Sequence, residues 1–137
     1  MKEFPLKIVT PAGQAYDGPA CSLTVRTTSG DVTFRAGHIN YVAPLGMGQA
    51  VVVTPQQERR LGACIGGMVS VVEGVVTLVP TTFEWAEEVD LVRAKASEER
   101  ARRVLEDPSA GDMDVRMASA RLKRALIRQN VASHKPK

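Results

Sequence analysis

Alternating hydrophobic and polar residues dominate the first 80 positions and predict short β-strands. Phe4–Thr10 is rich in β-favouring residues and is followed by a Pro-Ala-Gly turn. Residues 20–27 alternate, with Leu23 and Val25 on one face. A period of two residues is what a strand with one buried face requires, so both segments are predicted strands.

Two predicted hairpins follow. Residues 50–54 and 61–65 flank the polar segment 55–59. Met68–Val72 can pair with Val75–Val79 across a Glu-Gly dipeptide. Many short strands with turn signals at close intervals favour an antiparallel sandwich or barrel over a parallel sheet.

Residues 29–48 interrupt this pattern. Four Gly and one Pro break every apolar run in the segment, and both residue types disfavour the interior of a strand. We therefore expect residues 29–48 to be more loop than strand, with tight turns or close backbone approach at the glycines.

The periodicity changes to a spacing of three and four residues in the last third of the chain. Residues 90–107 contain strong helix formers and no Gly or Pro, and a second helix is predicted after the breaker at residues 108–112. The residues at this spacing are Leu91, Ala94, Glu98, Ala101 and Leu105 in the first helix and Val115, Ala118, Leu122, Ala125 and Gln129 in the second. Because the connection is short, we expect the two helices to be antiparallel neighbours.

Together these patterns predict an α+β protein. An N-terminal antiparallel β-sandwich or barrel in residues 1–83 is followed by a C-terminal antiparallel helical hairpin in residues 84–137. The hairpin seam is mostly Ala and Leu, so it buries little apolar area. Each Å² of buried apolar surface contributes about 25 cal/mol to stability, and the total from this seam is therefore modest. We therefore expect that the hairpin can detach without unfolding the β domain.

Composition indicates a globular protein with aliphatic cores. Hydrophobic residues make up 44% of the 137 residues, but aromatic residues make up only 4%. No apolar run approaches the roughly 20 residues needed to span a bilayer, and the N-terminus lacks the apolar stretch of a signal peptide. We expect a cytoplasmic protein that can work beside a membrane. Cys21 and Cys64 have no metal-ligand spacing and are expected to be buried, reduced thiols.

Charge is distributed unevenly, although the net charge is only +3. Residues 1–80 carry six Lys/Arg and five Asp/Glu, residues 81–107 carry five and eight, and residues 112–137 carry seven and two. The basic residues in a helical register in the last segment are Arg116, Arg121, Lys123, Arg124 and Arg128. They can present cations to an acidic protein, a nucleotide or a nucleic acid, or they can form a solvated face.

The sequence contains no residue pattern typical of an enzyme. It has no G-x-x-x-x-G-K-[ST] loop, no G-x-S-x-G elbow and no H-E-x-x-H motif, and His38 and His134 lie in different units. His38 is either an acid–base group or, as is more common for a loop histidine after Gly, a structural or contact residue. The acidic residues between positions 84 and 90 suit the positive end of a helix dipole.

Several motifs occur in a fixed order along the chain. They are Gly30-Asp31 with Gly37-His38, Gly66-Gly67, V-D-L-V-R-A at residues 89–94 and L-K-R-A-L-I-R at residues 122–128. Together they resemble the epsilon subunit of bacterial F-type ATP synthases over nearly the whole chain. The resemblance implies a β-sandwich followed by a helix pair, the division that periodicity also predicts.

The resemblance implies a role without catalysis. Epsilon subunits join gamma in the central stalk, rest on the membrane c-ring during proton-driven ATP synthesis, and can inhibit ATP hydrolysis when their helices rise along gamma. It therefore implies gamma, the c-ring and beta as partners, in a complex at the cytoplasmic face of the bacterial membrane. It places Asp31 and His38 in loops that face the ring. It places Arg116, Arg121, Lys123 and Arg124 against an acidic segment of beta when the hairpin is extended.

The resemblance also implies ATP as a regulatory ligand, with no cofactor required. In some members the folded hairpin binds ATP through an I/L-D-x-x-R-A motif, in which Val89 replaces the first residue here. The residues that match the motif or fall at nucleotide contacts of those members are Glu84, Asp90, Arg93, Ala94, Arg100, Arg124 and Arg128. Asp90 is also explained as a helix N-cap. In the ring-facing segment both prolines usual in the family are missing and Arg35 is added.

A rival hypothesis is a small adaptor whose basic helix binds nucleic acid. Clustered Lys and Arg neutralise phosphates and give steep salt dependence. However, the basic segment has no aromatic residue for base stacking and no known nucleic-acid motif accompanies it. Copurification with a gamma-like subunit, compared with retention on DNA at moderate salt, separates the two hypotheses.

Overall fold

The computed structural model describes residues 2–133, which form ten strands and two helices. The strands are β1 (Phe4–Thr10), β2 (Gly13–Ala20), β3 (Ser22–Thr27), β4 (Gly30–Phe34), β5 (Tyr41–Pro44), β6 (Met47–Val53), β7 (Arg59–Ile65), β8 (Met68–Val72), β9 (Val75–Val79) and β10 (Thr82–Trp85). The helices are α1 (Leu91–Glu106) and α2 (Asp112–Ser133), and one 3-10 turn at Ala86–Glu88 precedes α1. His134 and the end of the expected helical domain lie outside the described residues.

The strands form two five-stranded sheets that pack as a sandwich. The first sheet has the order β2-β1-β9-β8-β5 and the second has the order β10-β7-β6-β3-β4. Nearly all neighbouring strands are antiparallel, as expected, but β1 and β9 are parallel, with Leu6 opposite Val76 and Ile8 opposite Leu78. Parallel neighbours need a long connection. The seven strands between β1 and β9 provide it.

The sandwich core is formed by every second residue of the inner strands. Leu6, Ile8, Leu23, Val25 and Leu78 are fully buried between the sheets. This confirms the predicted inward face of residues 20–27. Both cysteines are buried free thiols, as expected, and burial raises the pKa of Cys64 to about 12.

Both predicted hairpins are confirmed. β6 pairs with β7 from Met47 opposite Ile65 to Val53 opposite Arg59. β8 pairs with β9 through a two-residue turn, in which Glu73 and Gly74 both have positive φ. Two positive φ values are what a tight type I′ hairpin turn requires.

The prediction that residues 29–48 are mostly loop is wrong. β4 and β5 lie in this segment, and β2 and β10 were not predicted either. All four are edge strands of their sheets. An edge strand has one hydrogen-bonded neighbour, so it tolerates the Gly, Pro and polar residues that hide it from a hydrophobic pattern.

The predicted helical hairpin is confirmed, although its seam is narrower than expected. Ala94 and Ala101 of α1 and Ala118 and Ala125 of α2 are buried. In contrast, Leu91, Leu105 and Val115 are each 37% exposed, so the seam opens towards the hairpin tip and towards the start of α1. Between these two ends of the seam, the small Ala side chains let the two helix backbones approach closely.

Candidate functional site

A small apolar patch holds the hairpin on the sandwich. The C-terminal half of α2 lies on the outer face of the second sheet. The buried residues of this patch are Leu61, Ala63, Ala86 and Val131, with Val51 and Ile127 partly buried around them. The patch is separate from the sandwich core. The buried contact between hairpin and sandwich is therefore small compared with the sandwich core.

One polar pair crosses the interface between the two helices. Gln129 Nε2 donates a hydrogen bond to Glu98 Oε1 over 2.8 Å, and Arg102 Nε donates to Glu98 Oε2 over 2.8 Å. The hydrogen bond from Gln129, followed by that from Arg102, holds the pKa of Glu98 below its usual value. Glu98 therefore links the two helices, and these hydrogen bonds favour its ionised form.

The segment that follows β10 is tied to the sandwich as far as Glu88. The Trp85 side chain is buried, and its Nε1 donates to the carbonyl of Ala15 over 3.2 Å. The guanidinium of Arg60 lies 3.8 Å above the Trp85 ring and pairs with Glu87 over 3.1 Å. Glu88 accepts from the backbone N–H of Trp85 over 2.9 Å. Contacts with the sandwich therefore continue as far as Glu88, and the expected boundary after residue 83 falls inside β10.

A cavity of about 570 Å³ lies where the start of α1, the second half of α2 and the end of β10 meet. Its lining residues are Glu84, Glu88, Asp90, Arg93, Ala94, Ser97, Arg100, Arg121, Arg124 and Arg128. We call it the arginine cavity. Helical spacing builds it, because residues three, four and seven apart face the same side of a helix. Its volume is in the range of small-molecule sites.

The carboxylates of the arginine cavity are engaged by the protein itself. Glu84 Oε1 accepts from Arg128 Nε over 2.7 Å, and Asp90 Oδ1 caps α1 by accepting from the backbone N–H of Arg93 over 3.0 Å. Glu88 accepts from Trp85, as described above. The N-cap role predicted for Asp90 is therefore confirmed.

Four arginines of the cavity are left without an acidic partner. Arg93, Arg100, Arg121 and Arg124 make no ion pair or hydrogen bond through their side chains within residues 2–133. Converging cations repel one another, so an anion between them is favoured. Guanidinium groups bind phosphate oxygens through two parallel hydrogen bonds. The cavity can therefore hold a ligand with several phosphate groups.

The structure brings together seven of the eight residues predicted for ATP binding. Val89 is the exception and does not line the cavity. The cavity adds Glu88, Ser97 and Arg121, which sequence reasoning did not assign to this site. Ser97 lies one turn from Arg93, and Arg121 lies one turn before Arg124 in α2, so helical spacing could have found both. Nucleotide binding itself stays a prediction.

Asp31 and His38, the predicted ring-facing residues, lie along one edge of the sandwich. Asp31 is near the start of β4, the edge strand of the second sheet, and His38 is in the loop after the strand ends. Phe34 lies three positions after Asp31 in β4, or about 10 Å along the strand at 3.3 Å per residue. Asp31 and His38 therefore lie on the same edge of the sandwich but do not form one contact site.

His38 is held in a cluster of three rings. Its imidazole lies 4.9 Å from the ring of Phe34 and 5.8 Å from that of Tyr41, measured between centroids. Its Nδ1 lies 2.8 Å from the carbonyl oxygen of Ile39. Since a carbonyl can only accept, Nδ1 carries a proton and Nε2 remains available for an outside contact. Ile39 beside it is 78% exposed, so this loop presents both an apolar side chain and an imidazole.

The four basic residues predicted to contact beta do not share one surface in the folded hairpin. Arg121 and Arg124 line the arginine cavity, whereas Lys123 lines a separate groove beside the second sheet. Arg116 is exposed in the first half of α2.

The outer face of the first sheet is unusually apolar. Val42, Met68, Val72 and Val79 are 64%, 44%, 55% and 47% exposed on neighbouring strands β5, β8 and β9. Met68 is directly opposite Val79 in the register of the sheet. We call these four residues the apolar face. Clustered exposed apolar side chains of this kind mark protein–protein contact surfaces.

No helix within residues 2–133 is long and apolar enough to cross a membrane. Within the same residues, no group of His, Cys, Asp and Glu side chains is arranged to hold a metal ion.

Comparisons with known proteins agree with the two-part architecture. Residues 3–86 match the beta-sandwich domain of the ATP synthase delta/epsilon chain, and residues 87–133 match its long alpha-helix domain. The ATP synthase epsilon chain of Bacillus pumilus is 40% identical over 132 residues, covering 96% of this chain and 98% of the relative. That of Bacillus velezensis is 39% identical, covering 98% of this chain and all of the relative.

Solved structures show the same fold. A chain of the Euglena gracilis mitochondrial ATP synthase, solved with OSCP, F1 and c-ring, has a TM-score of 0.83 at 22% identity, covering 96% of this chain and 82% of that chain. A chain of the Tetrahymena thermophila mitochondrial ATP synthase, from its central stalk and c-ring, has a TM-score of 0.61 at 12% identity, covering 96% and 97%.

Proposed function

Because this chain belongs to the epsilon-chain family of ATP synthases, we propose that it links gamma to the c-ring in the central stalk and inhibits ATP hydrolysis through its mobile hairpin. The arginine cavity between sandwich and hairpin is the observation that carries the regulatory part of this proposal. A polyphosphate ligand there contacts arginines of both α1 and α2. Such a ligand can therefore bind only while the hairpin is folded.

The apolar face is the surface that we assign to gamma. It belongs to the sandwich, and the hairpin packs on the opposite sheet. A partner bound to the apolar face therefore stays bound whether the hairpin is folded or extended. This arrangement suits a subunit that has to turn with gamma while its hairpin changes position.

The ring contact in this proposal uses the β4 edge of the sandwich. Asp31 supplies a carboxylate that is 69% exposed, and the His38 loop supplies Nε2 and the exposed Ile39 side chain. The absence of the two family prolines from this loop is offset by the packing of His38 on Phe34 and Tyr41, which fixes the loop by ring contacts instead.

ATP is the ligand that we propose for the arginine cavity. Its triphosphate carries enough charge to neutralise the arginines that have no acidic partner, and Ala94 and Ser97 provide a small, uncharged wall. ADP has one phosphate fewer and is expected to bind more weakly. ATP stabilises the folded hairpin only through its preference for that state.

Inhibition follows from the same residues in a second position. Arg121 and Arg124 face the cavity when the hairpin is folded, and together with Arg116 and Lys123 they are the cations proposed to meet an acidic segment of beta when it is extended. One guanidinium cannot serve both positions, so ATP binding and inhibition exclude each other. The hairpin is then a two-state element whose balance the ligand shifts.

We further propose that the subunit has no catalytic chemistry of its own and that it lies at the cytoplasmic face of the bacterial membrane, bound through the complex. The engagement of its cavity carboxylates in caps and an ion pair supports the first point. A nucleic-acid role is less well supported, because Arg121 and Arg124 line the arginine cavity while Lys123 lines a separate groove, so the three do not form one basic stripe.

Reassembly of the catalytic head with variants of this chain tests the proposal. A chain ending at Glu88 is expected to copurify with gamma and to leave ATP hydrolysis uninhibited. The variant Arg116→Ala/Lys123→Ala leaves the arginine cavity intact, and we expect it to weaken inhibition most at low salt, where screening is least. Failure of the truncated chain to join gamma would refute the assignment of the sandwich. Unchanged inhibition by the double variant would refute the contact with beta.

A further inference from the structure

A second groove lies between α2 and the outer face of the second sheet. Its volume is about 310 Å³, and it shares no lining residue with the arginine cavity. Strands β3, β4 and β6 form one wall and the C-terminal half of α2 forms the other. The groove therefore exists only while the hairpin is docked.

The Arg26 side chain packs against Gly46 and Gly48 in this groove, because neither glycine has a side chain to displace it. A Cβ on Gly48 would lie 2.7 Å from Arg26 Cβ, and a Cβ on Gly46 would lie 3.4 Å from Arg26 Cγ. The stem of Arg26 therefore rests directly on the glycine backbone. Its Nε lies 3.4 Å from Asp31 Oδ1, and its two terminal nitrogens make no further hydrogen bond or ion pair within residues 2–133.

Lys123 faces Arg26 from the opposite wall. Its ammonium makes no ion pair with any residue that the structure describes. The groove thus holds two cations and one carboxylate, and Thr24 and Gln49 add neutral polar groups to its wall. The groove therefore has an excess of one positive charge. The arginine cavity is more highly charged, with five arginines and three carboxylates.

We propose that this groove binds a small oxyanion, a carboxylate or a single phosphate group, between Arg26 of the sandwich and Lys123 of the hairpin. The Arg26 guanidinium provides paired donors and Lys123 provides a point charge. Because the ligand contacts both units, it stabilises the folded hairpin independently of the arginine cavity. The site is small, and a triphosphate is better matched by the charge of the arginine cavity.

Amide NMR spectra of the full chain, titrated at constant ionic strength with sodium phosphate and separately with sodium acetate, test this proposal. We expect saturable shifts at Thr24, Gly48 and Gln49. Lys123→Gln is expected to weaken the affinity at least fivefold. The matched control Lys95→Gln removes an exposed lysine of α1 outside the groove and is expected to leave the affinity unchanged. Arg26→Gln provides a second loss-of-charge variant.

A third variant separates the two sites. Arg100→Gln/Arg124→Gln removes charge from the arginine cavity only, so the shifts at Thr24, Gly48 and Gln49 are expected to persist in it. Saturation with phosphate but not acetate would assign the groove to phosphate, and saturation with both would assign it to oxyanions in general. Shifts that do not saturate, that survive equally in both lysine variants, or that occur only around the arginine cavity would overturn the proposal.

Discussion

Arg128 and Glu84 lie 44 positions apart in the chain, yet Arg128 Nε donates to Glu84 Oε1 over 2.7 Å. The bond joins α2 to the last strand of the sandwich. The Arg128 side chain is 26% exposed and that of Glu84 is 35% exposed, so solvent screens the pair only in part. Together with the apolar patch around Val131, it fixes the folded position of the hairpin.

The first prediction concerns this ion pair. Glu84→Gln is expected to loosen the docked hairpin by roughly 0.5–1 kcal/mol, since partly exposed pairs contribute about that much. Hydrogen exchange of α2 amides in the absence of nucleotide measures the effect, and high salt should reproduce it. The control is Glu99→Gln, which removes a more exposed pair with Arg103 within α1. Equal protection of α2 in the two variants would contradict the role of Glu84.

The second prediction concerns the docking patch. Val131 is fully buried against the second sheet, so Val131→Ala removes apolar contact and leaves a cavity, at a cost of about 1–3 kcal/mol. The helical melt is expected to shift down while the melt of the sandwich is unchanged. Met113→Ala is the control because Met113 is 67% exposed. A single shared transition that moves as a whole would show that the hairpin and the sandwich unfold together.

The third prediction concerns two glycines that both have positive φ. A Cβ on Gly67 (φ +97°) would overlap the carbonyl oxygen of Val79 and lie 2.6 Å from Pro80 Cα, whereas a Cβ on Gly74 (φ +80°) would meet nothing within 4 Å. Gly67→Ala is therefore expected to destabilise the sandwich by roughly 3–5 kcal/mol. Gly74→Ala should cost only about 1–2 kcal/mol of backbone strain. Denaturant unfolding compares them, and similar losses would mean that the close approach at Gly67 relaxes.

The inner strands and the helices could be predicted from the sequence because each buries at least one face, and a buried face leaves a hydrophobic pattern. β3 alternates between apolar and polar residues, β8 and β9 are apolar runs on either side of a Glu-Gly turn, and the hairpin keeps Ala at a spacing of three and four. The four edge strands were missed because they have one neighbour each and carry Gly, Pro and polar residues. In β2, for example, the Tyr16 hydroxyl donates a hydrogen bond to the Pro19 carbonyl of the same strand.

The candidate site was predictable in composition but not in geometry. Helical spacing places Arg93 and Arg100 on one face of α1 and Arg124 and Arg128 on one face of α2. The sequence could not show that Glu84 is occupied by Arg128, because that contact depends on how α2 docks. The groove around Arg26 was missed for the same reason, since it is formed by residues from four separate elements.

The fourth prediction is a pH dependence that arises from Glu98. Its folded-state pKa is lowered, first by the hydrogen bond from Gln129 and then by that from Arg102. A lowered pKa stabilises the folded hairpin fully above the ordinary glutamate value of 4.5, and this contribution is lost as the pH falls through the lowered pKa. Helical melts between pH 6 and about pH 3 should show this loss.

Two variants test the origin of that dependence. Glu98→Gln is expected to flatten it, because the amide does not titrate in this range. Glu106→Gln removes an exposed carboxylate at the end of α1 and serves as the control. A pH profile that is the same in both variants would assign the dependence to other acidic groups.

Calorimetric titration of the isolated chain with ATP tests the central claim, that a polyphosphate ligand in the arginine cavity holds the hairpin folded. We expect saturable heat and a rise in the melting temperature of the helical signal, corresponding to about 2.7 kcal/mol at a hundredfold excess over Kd. Both effects should be weaker with ADP, lost in Arg93→Ala and Arg124→Ala, and retained in Arg103→Ala, which lies outside the cavity. No heat at millimolar ATP, together with an unshifted helical melt, would contradict the account.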